Sequence, residues 1–209
     1  MDPQWKYGDE PPIEDLKLHT EFRSKVGSLS YLSQCTRPDI AFAVNKLCRH
    51  LHNPNKHCFR ALNHLIHYIA GTPTLGIRYH FGEKTALRLE AYADSSYGGE
   101  DDDQAKSHHG YLIYFAGGLI DWTSNLQSTI ALSSAEAEHI AAFHASRSVV
   151  YYRQLLEEFG HLQASKANPQ FYGRIIRLAL HSLKIQSTIN VVNTLSLNIT
   201  ILGSSLPPI

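Results

Sequence analysis

From Phe22 onward the apolar positions first follow a helical spacing, then switch to alternation, then return to a helical spacing. Phe22, Val26, Leu29 and Leu32 recur every three to four residues. Ile40, Ala41, Val44, Leu47, Cys48 and Leu51 repeat that spacing after Pro38, which suits a first helical turn, and Asn53-Pro54 ends it. A third set, Phe59, Leu62, Leu65, Ile66 and Ile69, stops at Gly71-Thr72-Pro73. These three stripes predict a helical unit over residues 21–80.

The period then becomes two. Leu87, Leu89, Ala91 and Ala93 alternate with Arg88, Glu90, Tyr92 and Asp94, a strand with one face in a core and the other polar. Gly110 to Ala116 reads as a second strand, Gly117-Gly118 as a tight hairpin turn, Leu119 to Ser124 as a third strand and Ser128 to Leu132 as a short fourth. A helix is predicted from Ser133 to Phe159, with Ile140, Ala141, His144, Ala145, Ser148, Tyr152, Leu155 and Phe159 on one stripe and Gly160 as its stop. A meander covered by a long helix is an α/β (α+β) layer design. Residues 1–20, polar and carrying Pro11 and Pro12, are expected to be a flexible arm.

Charge narrows the partners. Lys plus Arg and Asp plus Glu number 19 each and the isoelectric point is about 7.2, so any nucleic-acid contact must be local rather than driven by a global field. The start has no basic-then-apolar leader, and no run approaches the roughly 18 apolar residues of a membrane span. An intracellular chain without a membrane partner is expected. Cys35, Cys48 and Cys58 lack a CxxC spacing, which argues against a disulfide framework or a zinc site and for reduced, half-buried residues.

Asp94 ends the first predicted strand. In SSAEAEH, Ser133 and Glu136 have the spacing of a capping box, so Glu136 is assigned to the helix start. Glu138 lies outside that box and would point toward Asp94 if the helix packs on the meander; two converging carboxylates are oxygen ligands that suit magnesium. On spacing alone, a strand end and a helix-dipole residue are the simpler explanation of the two acids. His57, Arg60, His64 and His67 share a helical face that reads as solvated, because no carboxylate or cysteine joins it. His108 and His109, adjacent on a strand, point to opposite faces, and Glu100 to Asp103 reads as a solvated acidic loop.

The words YAD at Tyr92 to Asp94, DDDQAKSHHGYLIY, GGLIDWTSNLQSTIALSSAEAEHIAA and RQLLEEFG together resemble the ribonuclease H segment of copia-type retrotransposon polyproteins. VGSLSYLSQCTRPDIAFAVNKL and ALNHLIHYIAGTPTLGI resemble the connection region that precedes it in that family. The resemblance covers about residues 22–160 and implies a ribonuclease H-like mixed sheet with a long covering helix over residues 84–162. It also implies hydrolysis of the RNA strand of an RNA–DNA hybrid by four carboxylates and two magnesium ions, with no small-molecule cofactor. Asp94 matches the family's first aspartate and Glu138 its glutamate. Ser95, Ser96 and Ser134 are the local candidates for 2′-hydroxyl contacts in the minor groove.

Two family features are missing. The later acidic words have no counterpart, since no Asp or Glu follows Glu158, and the family's paired lysines are Asn125 and Leu126. Two of four metal carboxylates are therefore absent, and the domain is expected to be inactive; the alternative is a non-catalytic module that binds nucleic acid or protein. The tail, residues 163–209, reads as the family's segment in a shifted frame. Codons for Leu183 to Ile201 can be chosen so that reading from the third base of each codon gives ENPKHDQCSKHIVVKYHY, similar to the family's NPxxHxRxKHID word. Sequencing the locus is expected to show that text; a stop codon inside it, or an unrelated one, leaves the tail a genuine extension.

Overall fold

The computed structural model describes residues 11–79, 89–98 and 105–160, which form two compact units divided between Gly76 and Ile77. The first unit contains helices α1 (Leu16–Cys35), α2 (Ala41–Cys48) and α3 (Lys56–Gly71), with a single 3-10 turn at Pro38–Ile40 leading into α2. Helix α1 begins inside the segment expected to be an arm, because the Asp15 carboxylate accepts from the Lys17 amide at 2.8 Å and so satisfies an otherwise orphaned donor. The first ten residues of the expected arm lie outside the described residues. The predicted second helix ends earlier than Asn53, at Cys48, although Leu51 still packs on the core. Helix α3 starts where the Asn55 side chain accepts from the Cys58 amide at 3.0 Å.

The three stripes meet as their spacing requires. Phe22, Val26, Leu29, Ile40, Val44, Leu47, Cys58, Leu62 and Leu65 form one buried cluster, with the Phe22 and Phe59 rings 5.2 Å apart. Arg60, His64 and His67 are exposed on the other side of α3. Beside the core, Arg37 is only 4% exposed and is held by a network. Its guanidinium donates to both Asp39 oxygens, the shortest contact being 2.8 Å, to the Thr72 carbonyl at 3.0 Å and to the Thr72 hydroxyl at 2.8 Å. The Tyr68 hydroxyl donates to Asp39 at 3.0 Å, and the guanidinium lies 5.5 Å from that ring's centre. Cys58 is buried, Cys48 half-buried and Cys35 exposed, so the three thiols do not share the uniform environment expected. Burial pushes the Cys48 and Cys58 thiols up, which keeps them protonated and unreactive.

The second unit contains β1 (Leu89–Ser96), β2 (His108–Phe115), β3 (Gly118–Leu126) and α4 (Ser134–Glu158). The strands pair in the order β1-β2-β3, all antiparallel, where the resemblance implied a mixed sheet; a parallel strand is absent among the described residues. The hairpin turn is Ala116-Gly117, at φ 50 and 77, rather than Gly117-Gly118. Two positive angles suit the two-residue turn that matches strand twist. Gly118 instead opens β3 opposite Phe115, and a Cβ there would collide with the Tyr79 ring, whose hydroxyl donates to the Leu119 carbonyl at 2.9 Å. A register shift between Ile113 and Tyr114 leaves Ile120 as the extra residue, packed against the core.

Helix α4 covers one sheet face. Leu89, Ala91 and Ile113 meet Val149 and Leu156 there. Its buried stripe is Ala137, Ala141, Ala145, Val149 and Leu156, so the predicted Ala141 and Ala145 are retained while Phe159, just past the last turn, is 64% exposed. Three alanines in that stripe bring the helix close to the strands, which a row of larger side chains would prevent. The expected strand at Ser128–Leu132 does not form: Ile130 and Leu132 are exposed, and the segment is a loop between β3 and α4. The acidic loop Glu100–Asp103 lies outside the described residues, as do Leu87, Arg88 and residues 161–209. Among the described residues, no helix is long and apolar enough to cross a membrane.

Candidate functional site

Asp94 occupies the sixth position of β1 and pairs with Gly110 of β2. The burial of β1 alternates through Leu89 and Ala91 and departs from that alternation at Asp94. A Cβ at Gly110 would come within 3.1 Å of the Thr123 carbonyl, so a larger residue beside Asp94 requires that carbonyl to give by a few tenths of an ångström. The Asp94 side chain is nevertheless buried, at 9% exposure. Burial holds its carboxyl above the usual carboxylate range, and the charge of Glu138 raises it further, against a hydrogen bond from the Ser95 backbone that lowers it.

Glu138 stands half-buried near the start of α4. The start is fixed as the sequence predicts, with the Ser133 hydroxyl accepting from the Glu136 amide at 3.2 Å. The Glu136 carboxylate, however, reaches one residue further back than a capping box requires and accepts from the Leu132 amide at 2.7 Å. Glu136 is thereby occupied by the cap, and Glu138 is the acid that interacts with Asp94. Strand and helix thus bring the two sequence-predicted acids within electrostatic reach. Among the described residues no group of three or more His, Cys, Asp or Glu is placed to hold a metal ion, so the site amounts to a carboxylate pair.

The three serines differ. Ser95 is half-buried with a hydroxyl that finds no partner among the described residues, whereas Ser96 and Ser134 are exposed. His109 is buried behind Ser95 in the register and stacks on His144 of α4 at 4.6 Å, with the rings 21° from parallel. Sequence reading placed the two adjacent histidines on opposite faces but missed this stack. It also missed Ser107 and Gln127, the most buried polar side chains among the described residues at 0% and 1% exposure. Nothing in local spacing marks either residue, since both lie just outside a strand.

A helix-covered meander that brings two acids within electrostatic reach of each other defines an α/β protein. The chain is homologous to a segment of the Pol polyproteins of plant copia-type retrotransposons. It is 42% identical over 139 residues to the "Retrovirus-related Pol polyprotein from transposon TNT 1-94" of Nicotiana tabacum, a match covering 66% of this chain and 10% of that protein. It is 36% identical over 176 residues to the corresponding polyprotein from transposon RE2 of Arabidopsis thaliana, covering 77% of this chain and 12% of the relative. The chain therefore spans about a tenth of the length of these polyproteins. A "Secreted RxLR effector protein 161" of Plasmopara viticola is 35% identical over 130 residues, 62% of this chain and 89% of that protein. No family model and no solved structure matches the chain.

Proposed function

We propose that residues 84–162 are a ribonuclease H-like domain that keeps two acids of a hybrid-cleaving site, holds one divalent cation weakly and does not turn over. The observation that carries this reading is the buried Asp94 carboxyl beside the charge of Glu138. A divalent cation relieves both the burial of the charge and the repulsion, so the residues fit one magnesium ion. Asp94 and Glu138 would hold it. In such enzymes a pair of ions activates water and stabilises the leaving oxygen, and a pair needs more carboxylates than these two. The Ser96 and Ser134 hydroxyls, exposed at the ends of β1 and α4, are available to the 2′-hydroxyls of a bound hybrid.

The non-catalytic alternative draws support from exposed apolar residues. Tyr97, 52% exposed, donates through its hydroxyl to the carbonyl of Leu132, 85% exposed, and Ile130 lies two residues away. Such a rim suits docking of nucleic acid or protein without chemistry. The deciding assay presents purified protein with a labelled RNA–DNA hybrid in magnesium and in manganese. No product above the buffer control is expected. Turnover that disappears in Asp94→Asn overturns inactivity and restores the nuclease reading in full.

A further inference from the structure

Ser107 and Gln127 connect the segment carrying Asp94 to the segment carrying Glu138. Past the end of β1, Gly98 takes φ +67, a conformation that residues with a Cβ rarely adopt, and its amide donates to the Ser107 hydroxyl at 3.3 Å. The Ser107 carbonyl accepts from the Gln127 amide at 2.8 Å, extending the β2–β3 ladder by one step. The Gln127 side-chain amide then donates to the Ala137 carbonyl at 2.9 Å, the residue immediately before Glu138. A carbonyl oxygen has two lone pairs, so this bond can coexist with the helix's own. The path therefore runs from the end of the Asp94 strand, through two fully buried polar residues, to the first turns of α4.

Burying that glutamine has an unfavourable side. Its Oε1 atom is buried and has no partner among the described residues, so half of the amide is desolvated without compensation from them. An apolar side chain of similar size would fill the same space without that loss. The amide contributes something an apolar side chain cannot: a directional bond that sets where the first turns of α4 sit relative to the sheet.

We propose that Ser107 and Gln127 form a buried polar clamp that sets the separation of Asp94 and Glu138, acting as positioning residues for the cation site. The cation part rests on the function proposed above; the clamp itself is a statement about geometry. The test therefore has one arm free of metal and one with it. In full-length protein carrying Cys35→Ser and Cys48→Ala, nitroxides are attached at Ser96→Cys and Ala135→Cys, both exposed positions flanking the two acids. Dipolar broadening reads the separation of the labels. A single narrow distribution is expected, which Gln127→Leu broadens, Ser107→Ala shifts in the same sense, and Gln127→Asn, with its amide one methylene short, changes to a lesser degree. Merely structural residues lower the melting temperature and leave the distribution of the folded protein unchanged. That result in Gln127→Leu overturns the clamp, and if this variant does not fold, unchanged distributions in Ser107→Ala and Gln127→Asn do so.

In the second arm, Mn²⁺ alone is titrated into unlabelled protein and followed by its paramagnetic resonance. Affinity is expected to fall roughly tenfold or more in Gln127→Leu, the effect usual for residues that orient metal ligands. Equal, measurable affinity in the parent and in folded Gln127→Leu overturns the positioning role toward the cation. A parent that binds no Mn²⁺, together with altered label distributions in the variants, removes the cation reading and leaves the clamp standing.

Discussion

Asp39→Ala is expected to cost the helical unit about 3–5 kcal/mol, far more than an exposed ion pair would. The reason is the position of its partner. Arg37 is 4% exposed, and Asp39 supplies three of its five hydrogen bonds as well as the acceptor for the Tyr68 hydroxyl. The bond to Asp39 is the main influence raising the Arg37 guanidinium above its ordinary basicity; that ordinary basicity by itself keeps the positive charge after the substitution. It must then sit in the interior with only the two Thr72 oxygens and the Tyr68 ring around it. Replacing both partners, as in Arg37→Met with Asp39→Leu, is expected to recover much of the loss, because no charge is left behind. Urea unfolding followed through hydrogen exchange of α1 and α3 amides measures both effects. A loss below about 1 kcal/mol in Asp39→Ala would place the pair among ordinary surface bridges.

Acidification is expected to weaken the sheet–helix unit as pH falls from about 6.5 toward 4. Burial, with a smaller contribution from His144, lowers the His109 pKa from 6.5 to about 4. A depressed pKa means that the folded state stays neutral while the unfolded chain takes up a proton. The stability from neutral His109 is thus fully present above pH 6.5 and is lost as pH falls through the folded value, reaching about 3 kcal/mol. Facing it are His144, stacked from α4, and its register partners Ser95 on β1 and Asn125 on β3. Asp94 and Asp121 act in the opposite sense. Burial raises both carboxyls, so the folded state takes up their protons first and regains stability at the acid end. His109→Phe keeps a ring against His144 and removes the titration. Its unfolding free energy is expected to change little from pH 6.5 to 5, while the parent declines; matching pH profiles would show that His109 does not control the acid response.

The helices and strands were legible because each buries one face, and a buried face imposes its own period on the chain. Phe22 to Leu32 and Phe59 to Ile69 show the helical period and Leu89 to Asp94 the strand period, whatever they pack against. Caps are equally local: Ser133 and Glu136 lie within four residues of the amides they serve. Boundaries were less legible. The hairpin slipped by one residue because three consecutive small residues, Ala116 to Gly118, allow more than one turn, and contact with Tyr79 selects among them.

The acids of the candidate site were singled out by words in the sequence, yet their mutual influence depends on α4 folding back over β1. Arg37, Ser107, His109 and Gln127 carried no comparable mark. Each is a polar residue whose burial is made tolerable wholly or in part by a partner distant in sequence or across the sheet: Thr72, alongside the near neighbour Asp39, for Arg37, Gly98 for Ser107, His144 for His109 and Ala137 for Gln127. Hydrophobic periodicity, being a property of neighbours, determined by itself most of the segments that became helix and strand, the short run Ser128–Leu132 excepted. Which polar groups entered the interior, and so which charges and hydrogen bonds control the molecule, was decided only when tertiary packing supplied their partners and excluded water.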